Sequence, residues 1–165
     1  MATYTDYNPS KCNDFISPPY IWKDIIKYIP KNKVISMPFY CDGECGKDMQ
    51  KLGFDVEHKD EDFFENDRGD IVIDNPPFEF KKKVIETLVE RNKPFIIIVP
   101  VSTICYGYTK VLKDIQILIP NKRLKFIHYD KEKRERKKDW EKHSPAFDCV
   151  YLCWKMELEK DIIFL

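Results

Sequence analysis

The chain lacks several features that define common classes of protein. No apolar run approaches the roughly 18 residues of a membrane-spanning helix, and residues 1–10 are polar with no hydrophobic signal core. We therefore expect a soluble, intracellular protein. No Gly-x-Gly-x-x-Gly follows the first predicted strand, which argues against a nicotinamide dinucleotide-binding domain. Repeats and low-complexity linkers are also missing, so residues 1–165 are expected to form a single domain.

The formal net charge at pH 7 is zero, because 28 basic residues balance 28 acidic ones. The whole molecule is therefore not an obvious polyanion binder. The charge is nevertheless unevenly placed. Residues 42–70 carry eleven acids against four bases, whereas residues 131–143 carry seven bases against four acids. This asymmetry predicts a basic C-terminal side that can accept phosphates.

The spacing of cysteine and histidine does not favour a metal site. Cys149 and Cys153 lie in an apolar run that is typical of a strand, where four steps separate the thiols by about 13 Å. They cannot share an ion, and the three histidines have no ligand spacing. We expect no metal, and we expect the six cysteines to be idle thiols in a reducing compartment.

Apolar periodicity predicts alternating strands and helices. The predicted strands cover residues 33–39, 54–58, 70–74, 95–99, 124–129 and 149–155, with a short candidate at 63–64. The predicted helices cover residues 19–28, 44–52 and 79–91, and 111–119 is either a helix or an irregular crossover. Such alternation is typical of an α/β fold with a doubly wound, mostly parallel sheet. The closing pair of strands predicts an antiparallel strand at one edge of it.

One segment is more informative than the rest. The apolar run 71–73 and Asp74 lead directly into Asn75-Pro76-Pro77-Phe78. Two consecutive prolines remove two backbone donors, so the strand must stop in a stiff, extended turn. We expect the Asn75 amide and the Pro76 carbonyl to point at one spot, with the Phe78 ring beside it. Two acceptors and an aromatic face suit a planar ring with an amino group, such as adenine.

This quartet resembles the catalytic Asn-Pro-Pro-Phe/Tyr motif of S-adenosylmethionine-dependent amino methyltransferases, particularly those acting on adenine N6. The resemblance extends over nearly the whole chain, to a Rossmann-like class I methyltransferase of compact viral or phage-like type. It implies S-adenosyl-L-methionine as cofactor and Asn75, Pro76, Pro77 and Phe78 as catalytic residues. In such enzymes two acceptors hold the amino group of the base and the aromatic ring stacks on it.

The resemblance also implies a cofactor site. Residues 38–43 resemble a Pro-Phe-x-x-Asp-Gly variant of the loop after the first strand, in which Asp42 can receive the cofactor's ammonium. Asp60, with Glu57 as second candidate, would hold the ribose, and Asp62 with Phe63 the adenine. Ser17-Pro18 either packs on the cofactor or caps the first helix. The implied cofactor-binding residues are Ser17, Pro18, Pro38, Tyr40, Asp42, Gly43, Asp60, Asp62, Phe63 and Asn75.

The basic C-terminal side is the predicted nucleic-acid interface. Its candidate contacts are Lys122, Arg123, Lys125, Arg134, Arg136, Lys137 and Trp140. Residues 144–147 are a candidate wall of the target-base pocket. DNA is slightly favoured over RNA, and a homodimer or an accessory subunit could supply target recognition. Two alternatives stay open: methylation of a glutamine amide in a protein, and a non-catalytic subunit with a methyltransferase fold.

Overall fold

The computed structural model describes residues 15–130, 133–136, 138 and 147–165. Its strands are β1 Phe15–Ile16, β2 Val34–Ser36, β3 Asp55–Glu57, β4 Ile71–Asp74, β5 Phe95–Pro100, β6 Ile115–Ile119, β7 Ile127–Asp130, β8 Glu135–Arg136, β9 Cys149–Trp154 and β10 Ile162–Phe164. Its α-helices are α1 Pro19–Lys23, α2 Glu44–Lys51, α3 Lys81–Glu90 and α4 Gly107–Lys110. Short 3-10 helices cover Ile26–Tyr28, Phe78–Phe80 and Val101–Cys105.

The main sheet has seven strands in the order β10-β6-β9-β5-β4-β2-β3. All of them are parallel except β9, which confirms an α/β fold with a mostly parallel sheet. The expected position of the antiparallel strand is wrong, because β9 lies inside the sheet between β5 and β6. Residues 115–119 form a strand instead of a helix or crossover, and the unpredicted β10 pairs beside it. These two strands extend the sheet beyond β9.

Three other sequence expectations need correction. Residues 63–64 belong to a turn, in which the Asp62 carboxylate accepts the Phe64 N–H at 2.7 Å. The α-helix that begins at Pro19 ends at Lys23, and a 3-10 helix follows. The strand expected at 124–129 is β7, which pairs with β1 and β8 in a separate three-stranded sheet.

Hydrophobic clusters cover both faces of the main sheet. Along β5, Ile96 and Ile98 face one cluster, and Phe95, Ile97 and Val99 face the other. The first cluster includes α1, α2 and the small sheet, and the second includes α3. The β5 strand is therefore buried on both faces, as its continuous apolar run predicts. Among the described residues, no helix is long and apolar enough to cross a membrane.

The strand order reverses at β2. The next strand along the chain, β3, pairs on one side of β2, and β4 pairs on the other. In open α/β sheets, ligands bind at such a switch point, outside the carboxyl ends of the strands. The segments that leave these ends are residues 37–43, 58–62, 75–78 and 101–106. Because β9 runs the opposite way, Phe147 and Asp148 also reach this carboxyl edge.

Candidate active site at the carboxyl edge of the sheet

Asp74 connects the ends of the two strands at the switch point. Its carboxylate is buried and accepts the Phe39 N–H at 2.7 Å and the Asn75 N–H at 2.8 Å. Burial raises the pKa of Asp74 to about 7. Asp74 was not among the predicted site residues. The signal that could have identified it is an acid at the end of a strand that is otherwise apolar.

The Asn-Pro-Pro segment ends β4 as predicted. Pro76 and Pro77 are buried, and the Pro77 carbonyl accepts the Phe80 N–H at 2.9 Å to start a 3-10 turn. The Asn75 Oδ1 atom is buried, and none of the residues that the structure describes forms a hydrogen bond with it. An amide oxygen in that situation is an unsatisfied acceptor, which is uncommon in folded proteins.

Phe78 lies in a group of aromatic rings beside this acceptor. Its ring centroid is 5.5 Å from that of Phe147 and 6.3 Å from that of Phe126, both in edge-on geometry. Phe126 is buried, whereas Phe147 is exposed. Phe78 itself is partly buried, so its ring is held by packing while part of it reaches the surface. The rest of the predicted pocket wall, residues 144–146, lies outside the described residues.

The loop after β2 turns tightly before α2. The Gly43 N–H donates to the Tyr40 carbonyl at 2.8 Å, and Gly43 has φ of +80°. The positive φ favours glycine at this position, where a Cβ would also lie 2.7 Å from the Tyr40 hydroxyl oxygen. The Tyr40 ring stacks on His58, which follows β3, at a centroid distance of 4.7 Å. The predicted tight turn at Gly43 is therefore confirmed.

Asp42 in the same loop is already bound by two groups of the protein. Its carboxylate accepts Arg136 Nε at 2.7 Å and the Glu44 N–H at 3.1 Å. Arg136 comes from β8 of the small sheet. Sequence reasoning assigned Arg136 to nucleic acid, whereas the structure brings it to the loop predicted to hold the cofactor. The contact joins residues 94 positions apart, which no local sequence signal indicates.

The acids after β3 differ in their hydrogen-bond partners and exposure. Glu61 forms a two-pronged ion pair with Arg68, and Asp62 closes its own turn. Asp60 is exposed. A small cleft between the ends of β2 and β3 is lined by Ser36, Pro38, Glu57, Lys59, Glu61, Phe63, Asn66 and Arg68. The cleft thus brings together three residues of the predicted cofactor site: Pro38, Glu57 and Phe63.

Phe63 is almost completely buried, which limits its contact with a ligand. It is 2% exposed, packs 5.3 Å from Phe39, and lies 4.8 Å below the Arg91 guanidinium. Most of its contacts are therefore with the core on the α3 side of the sheet. Only its edge can contribute to the cleft.

Ser17 and Pro18 lie behind the cofactor loop. The expected cap of α1 by Ser17 is wrong, because Pro18 occupies the N-cap position and no side chain caps the helix. The Ser17 carbonyl accepts the Cys45 thiol at 3.5 Å. Burial first, and then the charges of Asp74 and Asp42, raise the pKa of Cys45 to about 12. Ser17, Asp42 and Asp74 are thus neighbours around the first turn of α2.

Ser17 Oγ is buried like Asn75 Oδ1. Within the part of the chain that the structure describes, this hydroxyl has no hydrogen-bond partner. A buried hydroxyl without a partner is uncommon in folded proteins. Both atoms are therefore polar groups that the described part of the chain leaves without a hydrogen bond.

The predicted nucleic-acid residues divide into three groups. Lys122, Lys125 and Arg134 are exposed, as phosphate contacts require. Arg123 pairs with Asp148 at 3.3 Å, and Arg136 pairs with Asp42. Lys137 and Trp140 lie outside the described residues. The basic side is therefore partly engaged in ion pairs within the chain.

Cysteine chemistry differs from expectation at one position. Cys41 is disulfide-bonded, which corrects the expectation that all six cysteines are free thiols. The free cysteines in the described part of the chain are Cys45, Cys105, Cys149 and Cys153. In that same part, no group of three or more His, Cys, Asp or Glu side chains forms a metal site.

Comparison with known proteins adds no assignment. No protein-family model matches the chain, and a search of curated proteins gives no match.

Proposed function

We propose that this chain is an S-adenosylmethionine-dependent methyltransferase with a class I methyltransferase fold, acting on the N6 amino group of adenine in nucleic acid. DNA is slightly favoured over RNA. The observation that carries the proposal is the buried Asn75 Oδ1, which has no partner among the described residues and lies at the switch point of a mostly parallel sheet. The Asn-Pro-Pro-Phe motif that contains it supports the same chemistry.

A buried acceptor without a partner costs about 1–3 kcal/mol, so a ligand donor at Asn75 Oδ1 is favoured. An amino group on an aromatic ring supplies two N–H donors. The Asn75 side chain can accept one of them and the Pro76 carbonyl the other. Phe78, partly exposed at the same edge, offers a ring face to the base.

The chain's own residues orient the acceptor group. Asp74 accepts the N–H of Asn75 and so fixes the backbone from which the amide projects. Two acceptors on the adenine nitrogen favour a more tetrahedral geometry and make its lone pair available. When bound, the cofactor would supply an electrophilic methyl group to the nitrogen and leave as the neutral thioether, the nitrogen would release one proton to solvent, and no covalent bond to the protein would be needed. The protein contributes position and fixed dipoles.

Features around the loop after β2 fit the cofactor. The Gly43 turn brings backbone close to the edge of the sheet, and a side chain there would collide with Tyr40. The Ser17 hydroxyl, buried and lacking a partner within the described chain, offers a further polar contact. Pro38, Glu57 and Phe63 line the small cleft between the ends of β2 and β3. These residues, with Asp42, are the ones proposed to hold the cofactor.

A non-catalytic subunit with the same fold is the second candidate. The observation that favours it is the ion pair of Asp42 with Arg136, because a cofactor ammonium would have to share or replace that partner. The two candidates differ in one measurable property. The catalytic subunit binds and uses the cofactor alone, whereas the non-catalytic one does not.

Replacing Asn75 tests the proposal. Asn75→Ala is expected to abolish methyl transfer, a loss of at least about 100-fold, because preorganised acceptors contribute that much to a rate. Cofactor affinity should stay within a few-fold of the wild type. Both quantities would be measured on the same preparation, by transfer of labelled methyl and by titration calorimetry.

Asn121→Ala is the matched control, since Asn121 is an exposed asparagine that follows β6 at the same edge. It should leave both quantities unchanged. Substantial turnover by the Asn75 variant would overturn the catalytic assignment.

A further inference from the structure

An exposed pair of tyrosines lies beside the Asn-Pro-Pro-Phe motif. Tyr106 and Tyr108 follow β5, and their ring centroids are 5.6 Å apart at an interplanar angle of 37°. Tyr106 is 42% exposed, and Tyr108 is partly exposed. Together with Lys81 these residues form what we call the tyrosine platform. None of the three belongs to the cofactor loop or to the basic segment discussed above.

The topology places the platform at the carboxyl edge. Strands β4 and β5 are adjacent and parallel, so the segments that follow them leave the sheet side by side. The Asn-Pro-Pro-Phe motif follows β4, and the platform tyrosines follow β5. The Val101 N–H donates to the Asp148 carbonyl at 2.9 Å, which ties the start of the tyrosine segment to the chain beside Phe147.

Lys81 connects the platform to the motif. Its ammonium donates to the Phe78 carbonyl at 3.1 Å and lies 5.5 Å from the centroid of the Tyr106 ring. Tyr106 and Phe78 are therefore both within reach of one lysine side chain. The Phe147 ring is 5.5 Å from the Phe78 ring. The edge thus carries two pairs of aromatic rings, Tyr106 with Tyr108 and Phe78 with Phe147, and Lys81 contacts one residue of each pair.

Lysine side chains lie in the segments next to these aromatic rings. Lys82 and Lys83 follow Lys81 in the first turn of α3, and Lys110 follows the tyrosines at the end of α4. Lys82 and Lys110 are exposed, and the contact of Lys82 with Glu86 is long, at 3.9 Å. Cations on exposed side chains can attract a polyanion, and the aromatic rings beside them can bind its bases.

We propose that the tyrosine platform binds a single-stranded segment of nucleic acid next to the target adenine. A base flanking the target stacks on Tyr106 and Tyr108, and the lysines bind the phosphates on either side. A single strand fits because the faces of its bases are free to stack, whereas in a duplex both faces are already covered. The position of the target at Asn75 rests on the proposed function, but binding to the platform does not require catalysis.

The test is the affinity for labelled oligonucleotides, measured by fluorescence anisotropy at fixed salt without cofactor. The probes are a mixed-sequence single strand of DNA and the duplex formed with its complement. Wild type is expected to bind the single strand more tightly. The Tyr106→Ala/Tyr108→Ala double variant is expected to lose at least about fivefold in that affinity, because one stacked base contributes at least that factor. Tyr106→Phe, which keeps the ring, should stay within about twofold of the wild type.

Tyr28→Ala is the matched control. Lys27 lies 4.9 Å from the centroid of the Tyr28 ring, so the same pairing of a lysine with a tyrosine ring occurs in the segment before β2. This variant should bind the single strand like the wild type. Circular dichroism and a thermal melt exclude unfolding as the cause of any loss. The platform is overturned if the double variant retains wild-type affinity, or if the control loses as much.

Failure of this inference is distinguishable from failure of the proposed function. If the double variant loses binding and no form of the protein transfers methyl, the tyrosine platform binds the single strand and the proposed enzymatic activity is wrong. If the double variant transfers methyl to nucleic acid with unchanged affinity and KM, the enzymatic activity is supported and the tyrosine platform is not a binding site.

Discussion

The two halves of the carboxyl edge differ in how their carboxylate and carboxamide groups are satisfied. At the ends of β2 and β3, Asp42 pairs with Arg136, Glu61 pairs with Arg68, and Asp62 accepts a backbone N–H. At the end of β4, the Asn75 Oδ1 atom is buried and has no partner within the described residues. We call these regions the cofactor half and the motif half.

The difference indicates how each half would receive a ligand. The motif half holds its acceptor in place before any ligand binds, because Asp74 fixes the backbone on either side of the switch point. In the cofactor half, a ligand group that binds Asp42 must share or replace its Arg136 partner. Preorganisation is therefore expected to be strongest at the motif, and changes in the cofactor half should act mainly on binding.

The largest expected effect concerns the charge of Asp74. Because burial raises its pKa to about 7, the folded state keeps a proton that the unfolded state loses near pH 4. Stability should therefore fall as pH rises from about 4 to about 7, by up to about 4 kcal/mol. The measurement is the free energy of unfolding in urea across this range, for the wild type and Asp74→Asn.

The comparison with Asp74→Asn separates this effect from that of His58. Burial lowers the pKa of His58, so this group alone would make stability rise with pH through the region below its usual value. The wild type minus the Asn variant isolates Asp74. A difference that does not change between pH 4 and pH 7 would contradict the raised pKa.

Removing the Asp74 carboxylate should break the motif half. Asp74→Ala leaves the N–H groups of Phe39 and Asn75 without their acceptor, and the expected loss of stability is about 2–4 kcal/mol. Asp70→Ala is the matched control at the opposite end of β4, where an exposed carboxylate accepts the Val34 N–H at 2.8 Å. It should cost less than about 1 kcal/mol. Equal losses in urea unfolding would contradict a special role for Asp74.

The turn in the cofactor half can be broken with a methyl group. Gly43→Ala adds a clash with Tyr40 to the cost of a positive φ, so we expect a loss of about 2 kcal/mol and weaker cofactor binding. Gly53 also has a positive φ, but a Cβ there meets open space. Gly53→Ala therefore measures the backbone cost alone, about 1 kcal/mol. Thermal unfolding of the two variants gives the contribution of the clash, and identical melting temperatures would show that Tyr40 moves aside.

The smallest effect should come from freeing Asp42. Arg136→Gln removes the partner of the carboxylate, so we expect cofactor affinity to rise a few-fold while stability falls by less than about 1 kcal/mol. Arg68→Gln breaks the ion pair with Glu61 and leaves Asp42 bound, so it is the control. Titration calorimetry gives both affinities. Weaker binding by the Arg136 variant would mean that the arginine supports the cofactor loop instead of competing with the ligand.

The features that sequence reasoning predicted correctly depend on local signals. The apolar runs of β5 and β9 identify buried strands, and the consecutive prolines end β4 at Asp74. Gly53 follows the C-cap of α2, where its N–H donates to the Gln50 carbonyl, as a helix-ending glycine should. The order of elements that positions the motif could thus be read from the chain.

The features that were missed depend on contacts between distant segments. Residues 115–119 form a strand because β9 returns beside β5 and gives them a neighbour, and residues 162–164 then pair with residues 117–119 on the other side. The ion pair of Asp42 with Arg136 and the bond from Phe39 to Asp74 likewise join separate elements. Composition and periodicity carry no information on such pairings, so the predicted residues were found without their partners.

The most direct measurement is methyl transfer from labelled S-adenosylmethionine to single-stranded DNA, duplex DNA and RNA, followed by nucleoside analysis of the product. The account predicts N6-methyladenine from at least one of these substrates, with loss of that product in Asn75→Ala. A chain that binds the cofactor and yields no methylated nucleoside from any of them would contradict it. That result would favour a protein substrate or a missing partner subunit.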